Sequence, residues 1–214
     1  MKSNRTKGKI LETSIKLFNE KKASNVSTVQ ISAAMEISPG NLYYYYANKE
    51  EVIRCIWQEK MVGEIDDLME QYEKIENSEQ LLDFFKEAIE HCIRYRFFYT
   101  EMPTLFTNDS KLMGVYAETS QRAKESAVEM FRKLVEKSGI DGLSEDKVEY
   151  AAENGLLLMI SLISHCDIRS SEGFDTTNAI RTIWRNMTGY LYPYMNQQMR
   201  EELEKALRAK EAAL

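Results

Sequence analysis

Ser27-Thr28-Val29-Gln30-Ile31-Ser32-Ala33-Ala34-Met35-Glu36-Ile37-Ser38-Pro39-Gly40-Asn41-Leu42-Tyr43-Tyr44-Tyr45-Tyr46-Ala47-Asn48-Lys49 decides how the chain is read. Ser27 has the chemistry of a helix N-cap, its hydroxyl able to accept from the backbone N–H groups that a first turn leaves unpaired. It predicts a short helix over Thr28–Met35 with Val29, Ile31, Ser32 and Ala34 facing inward. Glu36-Ile37-Ser38 is a tight connection. Ser38 then caps a second short helix, Pro39–Tyr45, whose Pro occupies the first position, where its missing N–H costs nothing. Two short helices joined by a three-residue turn form a helix-turn-helix plan, in which the second helix enters the DNA major groove. Leu42 and Tyr46, four apart, can anchor that helix, which frees Gly40, Asn41, Tyr44 and Tyr45 to face outward. Four consecutive tyrosines cannot all enter one core, because successive helical residues point about 100° apart. Tyrosine hydroxyls can donate to phosphate oxygens, and the rings can meet thymine methyls.

Upstream, Ile10, Leu11, Ser14, Ile15, Leu17 and Phe18 recur at three-and-four spacing over Thr6–Lys21, the pattern of an amphipathic bracing helix. Downstream, Asn48 opens a long linking helix to about Lys74 on Ile53, Trp57, Met61, Ile65, Leu68 and Tyr72. Further helices are expected at about 79–96, 97–106 with an interruption at Pro103, 111–137, 145–165, 178–192 and 197–210. Asn77, Asn108-Asp109-Ser110 and Ser144 supply starts, Gly139 a stop and Pro193 a break. The fold class expected is all-α. An N-terminal helix-turn-helix domain over residues 1–49 is joined by the long helix to a helical ligand-binding and dimerisation domain over residues 50–214.

Charge divides the same way. The net charge is −6, yet residues 1–60 carry ten Lys and Arg against six Asp and Glu, or +4, which leaves −10 for the remainder. A basic segment on an acidic chain is the electrostatic footprint of phosphate binding. The apolar run Leu156–Ile163 is far shorter than the ~20 residues of a membrane-spanning helix. No export signal is visible at the N-terminus, so a cytoplasmic protein with no membrane partner is expected.

Across Ile10–Trp57 the chain resembles the TetR family of bacterial transcriptional regulators. The resemblance rests on Ile10-Leu11, Leu17-Phe18, Ser27-Thr28-Val29-Gln30-Ile31 and Ile37-Ser38-Pro39-Gly40-Asn41-Leu42-Tyr43-Tyr44-Tyr45-Tyr46-Ala47-Asn48-Lys49-Glu50-Glu51. It implies that Thr28, Tyr43, Tyr45 and Lys49 hold phosphates, while Val29, Gln30, Gly40, Asn41 and Tyr44 lie near base edges of a double-stranded DNA operator. Asn41 and Gln30 have the carboxamides that pair with adenine N6 and N7. Lys49 stands at a helix start, where its ammonium and the backbone N–H groups both favour an anion. In two places the chain departs from the family, which usually has Gly after the first helix and in the turn. Lys22 and Glu36 stand there instead, and a side chain at positive φ is strained.

The resemblance further implies a small-molecule pocket and a homodimer interface in the remaining helices. An unidentified apolar or aromatic effector would suit a wall of Trp57, Met61, Phe85, His91, Tyr95, Phe98, Tyr99 and Met102. For the dimer, Ala151 and Gly155 let helices approach closely beside Leu158, Met159 and Leu162, and the next helix offers Ile180, Ile183, Trp184, Met187 and Leu191.

Enzymatic machinery is not visible: no Ser/His/Asp set, phosphate-cradling glycine loop or His-x-x-x-His helix occurs. No cofactor or metal is expected either, because in His91-Cys92 and His165-Cys166 adjacent helical side chains diverge. The three cysteines are odd in number and far apart, unlike a disulfide framework. The competing reading is a helical small-molecule-binding or hydrolytic protein whose helix-turn-helix is vestigial or holds a protein partner. Glu36, the acidic body and the isolated histidines favour it.

Overall fold

The computed structural model describes residues 2–72, 74–138, 143–168 and 173–212, and among them there are helices and no strand. In chain order the helices are α1 (Lys2–Lys21), α2 (Thr28–Ala34), α3 (Pro39–Tyr45), α4 (Lys49–Ile56), α5 (Val62–Tyr72), α6 (Ser78–Arg94) and α7 (Arg96–Asn108). They continue with α8 (Ser110–Ser138), α9 (Glu145–Ile168), α10 (Thr176–Leu191) and α11 (Gln197–Glu211). Short 3₁₀ turns occupy Ala23–Asn25 and Tyr192–Tyr194. Asn77 and Asp109 cap their helices with side chains, and Ser144 opens its helix through its backbone carbonyl. Asn77 Oδ1 accepts from the Gln80 N–H at 3.0 Å, Asp109 Oδ1 from Lys111 at 3.1 Å, and the Ser144 carbonyl from Val148 at 3.2 Å. The stop expected at Gly139 lies outside the described residues.

Two expectations need correction. Pro103 does not interrupt its helix, because α7 runs through it with Phe97, Phe98 and Leu105 buried on its inner side. That burial offsets the one backbone hydrogen bond that a proline removes. The linking helix is also not uniform: Trp57–Met61 winds as a single π turn between α4 and α5. Such turns are rare and recur at functional sites.

Two compact units emerge, one of Met1–Glu64 with Arg94–Thr119 and one of Ile65–Ile93 with Ser120–Leu214. Compactness therefore does not divide the chain after residue 49. In the first unit α7 is part of the framework of α1. Phe18 and Phe97 pack with ring centroids 5.1 Å apart, and Asn19 Nδ2 donates to the Arg94 carbonyl at 2.7 Å while its Oδ1 accepts from the Phe97 N–H at 3.0 Å. Arg54 of α4 pairs with the buried carboxylate of Asp109, which also caps α8.

In the second unit α9 lies along α10, with Ile180, Ile183, Trp184, Met187 and Leu191 buried. Tyr190 reaches over α9 and donates to the Ala151 carbonyl, its ring 3.4 Å from where a Cβ on Gly155 would stand. Phe131 and Tyr194 pack edge to face at 4.6 Å, and Lys124 bridges Glu149 and Glu153 at 2.8 and 2.7 Å.

Lys22 and Glu36, the departures noted above, are the described non-glycine residues at positive φ, at 70° and 56°. Glu36 stands at the residue after the α2 C-cap, and the pattern around it is the one that ends helices on glycine. Its N–H donates to the Ala33 carbonyl at 3.1 Å, and the Ile37 N–H reaches back to Ser32 at 3.0 Å. A side chain there costs energy that glycine does not. Glu36→Gly is expected to stabilise the fold by about 0.5–1 kcal/mol after the greater flexibility of an unfolded glycine is subtracted. Urea unfolding checks this, with an unchanged slope and a raised midpoint as the expected outcome.

Candidate nucleic-acid interface

The helix-turn-helix is assembled by local hydrogen bonds. Ser27 Oγ accepts from the Gln30 N–H at 3.3 Å while Gln30 Oε1 accepts from the Ser27 N–H at 2.8 Å, a closed capping box. Ser38 Oγ accepts from the Asn41 N–H at 3.2 Å, and Asn48 Oδ1 from Glu51 at 2.8 Å. Leu42 and Tyr46 are buried and seat α3, and the Tyr46 hydroxyl donates to the Lys7 carbonyl at 3.4 Å with the Lys7 ammonium 5.7 Å from its ring. Burial, foremost, pushes the Tyr46 phenol well above its ordinary range, so it stays a neutral donor.

What α2 and α3 leave outside is largely uncharged. Tyr44 is 79% exposed, Val29 55% and Tyr43 50%, with Gln30, Gly40 and Asn41 exposed beside them. Val29 and Ala34 were expected inside; the structure instead buries Ile31 and Ser32 and turns the other two to solvent. A seven-residue helix has room for one buried pair, and its spacing alone does not say which. Tyr45 is half-buried, its ring edge-on to Tyr44 at 5.1 Å. The Asn41 carboxamide hydrogen-bonds to no group among the described residues, whereas Gln30 has its oxygen committed to the cap. The two-point adenine contact envisaged for Gln30 would therefore open the capping box.

A cleft of about 400 Å³ runs beside this face, lined by residues 24–28, Tyr43 and 47–49. The Thr28 and Tyr43 hydroxyls meet across it at 2.9 Å. Lys49 is less free than its position in sequence suggests: its Nζ donates to the Ala23 carbonyl at 2.7 Å. Two ammonium protons remain for an anion. Ala23 is gripped from the other side too, because the Glu101 carboxylate of α7 takes its N–H, and takes the Ser24 hydroxyl at 2.6 Å and the Ser24 N–H at 3.3 Å. Ser24, Asn25 and Glu101 were not foreseen. Glu101 lies 78 residues from Ala23, and nothing local in its own segment marks it.

The proposed pocket residues fall in both units. Trp57, Met61, Tyr95 and Phe98 are buried in the first unit, with Tyr99 and Met102 half-buried there, while Phe85 and His91 are buried in the second. Trp57 stacks on Phe98 at 4.7 Å, and Tyr116 lies 5.2 Å from Trp57 and 4.9 Å from Phe106. Phe106 and Tyr116 complete a cluster that sequence periodicity did not single out. The Trp57 indole N–H is buried without a partner among the described residues.

Of the proposed dimer residues, Ala151, Gly155, Leu162, Ile180, Ile183, Trp184, Met187 and Leu191 are already buried in the single chain, and Leu158 and Met159 are half-buried. The small residues of α9 admit Tyr190 of the same chain. The outer face of α9 carries Tyr150, Asn154, Leu157, Ser161 and Ile168, with Leu157 64% and Ile168 82% exposed. No metal-binding group of three or more His, Cys, Asp or Glu occurs among the described residues, and no described helix is long and apolar enough to cross a membrane.

A helix-turn-helix whose second helix keeps a polar and aromatic face unburied, in a chain whose described elements are all helical, defines a class: the helical DNA-binding transcriptional regulators. A family model described as "Bacterial regulatory proteins, tetR family" matches residues 10–55, and one described as "Bacterial transcriptional repressor" matches residues 60–203. The chain belongs to the TetR family. A TetR-family transcriptional regulator from Marinobacter aquaeolei VT8 is 28% identical, with a TM-score of 0.83 over 96% of this chain and 98% of that one. The regulator PfmR from Thermus thermophilus shares the fold at 19% identity, with a TM-score of 0.64 over 86% and 97%. A transcriptional regulator from Aquifex aeolicus VF5 does so at 23%, with a TM-score of 0.60 over 85% and 97%. No curated protein sequence matches.

Proposed function

We propose that this regulator is a repressor that binds a palindromic operator as a homodimer and releases it when a small apolar or aromatic molecule binds. The observation that carries the DNA half is the outer face of α3. Asn41 and Tyr44 stand exposed and the Asn41 carboxamide has no bond to the described residues, next to a cleft with the Thr28 and Tyr43 hydroxyls and Lys49. Hydroxyl and ammonium donors position a phosphate, and a free carboxamide reads a base. A two-fold dimer presents two such faces to two half-sites. The outer face of α9, with Tyr150, Leu157 and Ile168, supports pairing between copies, since the inner face is occupied within one chain.

The effector reading rests on the aromatic cluster around Trp57. That residue opens the π turn, and the same helical stretch begins at Lys49, so a molecule wedged against Trp57 acts on an element that ends at the operator face. Binding of the purified protein to a duplex of its own upstream region, followed by fluorescence anisotropy across a salt series, tests the proposal. Affinity is expected to fall steeply with salt. Tyr43→Phe is expected to weaken binding to every sequence about equally, whereas Asn41→Ala costs about 1–3 kcal/mol on the preferred sequence and flattens the preference. Retention that ignores salt and both substitutions would sink the reading.

A further inference from the structure

We infer that the operator half-site is read at A·T pairs, through Asn41 on adenine and through Val29 and the Tyr44 ring on thymine methyls. This rests on the DNA-binding reading above and goes beyond it by naming the base class. The first ground is what the face lacks. Neither α2 nor α3 contains an Arg or Lys, the residues whose paired donors make the commonest specific contact to guanine O6 and N7. From Ser27 to Asn48 the one charged side chain is Glu36, which has no donor for guanine. Lys49, next along the chain, spends one donor on Ala23 and lines the cleft rather than α3.

The second ground is what remains available. Two carboxamides lie on the exposed surface of the helix pair, and they are not equivalent. Gln30 has its oxygen held by both the N–H and the hydroxyl of Ser27, at 2.8 and 3.1 Å, so it cannot offer a donor and an acceptor together. Asn41 can, because its side chain is exposed and bound to none of the described residues, and the geometry a carboxamide matches in two bonds is adenine N6 and N7. The other large groups on the face, Val29 and Tyr44, offer mainly apolar surface at 55% and 79% exposure, and the apolar feature of the major groove is the thymine methyl.

Selection of the full-length protein against a randomised duplex library tests the inference. The expected pool carries two inverted half-sites with A·T pairs at the central contacted positions. Asn41→Arg is expected to move one position per half-site from adenine to guanine, and replacing thymine by uracil in the selected duplex to lower affinity by about fourfold per contacted methyl. A wild-type pool with G·C at those positions overturns the inference, as does an Asn41→Ala pool with base preferences unchanged throughout. A pool that stays random while the protein still retains duplex at low salt overturns base reading by this face and leaves DNA binding standing. A random pool with no retention at low salt overturns the DNA-binding reading itself.

Discussion

Gly40→Ala is expected to leave thermal stability unchanged or slightly raised while operator affinity falls at least about tenfold, or ~1.4 kcal/mol. Nothing among the described residues demands glycine there. Its φ is not positive, and among the described residues a Cβ would find only Ser38 Oγ, at 4.0 Å. Alanine is the better helix former, by up to about 1 kcal/mol in a helix interior. The remaining reason for the missing side chain is a close approach from outside, at the second residue of α3, where base edges or the sugar-phosphate wall would arrive. Calorimetric melting and anisotropy on the same preparations separate the two effects. A variant that binds as tightly as the parent removes Gly40 from the interface.

Asp109→Ala is expected to be the most destabilising single substitution on the α4–α8 side of the first unit, at about 3 kcal/mol. Its carboxylate is buried against Arg54 and also caps α8 through the N–H groups of Lys111 and Leu112 at 3.1 and 3.3 Å. Removing it leaves a largely buried guanidinium uncompensated and two helix-start donors unpaired. A chain of this length should melt about 6–12 °C lower. Asp109→Asn keeps an acceptor for the cap and loses only the charge, so it should fall between the parent and the alanine variant. Equal melting of all three would show that neither the pair nor the cap supports the fold.

The features legible in the sequence are those held by short-range forces. Caps at Ser27, Ser38 and Asn48 act within three residues, and each bonds as its chemistry predicted. The four-residue spacing of Leu42 and Tyr46 named the buried side of α3 correctly. Lys22 and Glu36 could be identified as strained because the family pattern puts glycine there, and both hold positive φ. Periodicity failed where a helix was too short to choose a face, as at Val29 and Ala34. It also failed where burial overrode propensity, as at Pro103.

Composition, capping chemistry and hydrophobic spacing were thus sufficient for an all-helical chain with a basic N-terminal segment, a helix-turn-helix within it and an exposed tyrosine-rich face, because these depend on neighbours a few residues apart. The tertiary structure alone decided which of those side chains are free to act. Lys49 and Glu101 grip Ala23 from opposite ends of its peptide units, and Tyr190 fills the space over Ala151 that had looked open to a second copy. Each of these turns on a partner up to 78 residues away, whose arrival depends on how the helices pack, and no local pattern encodes it.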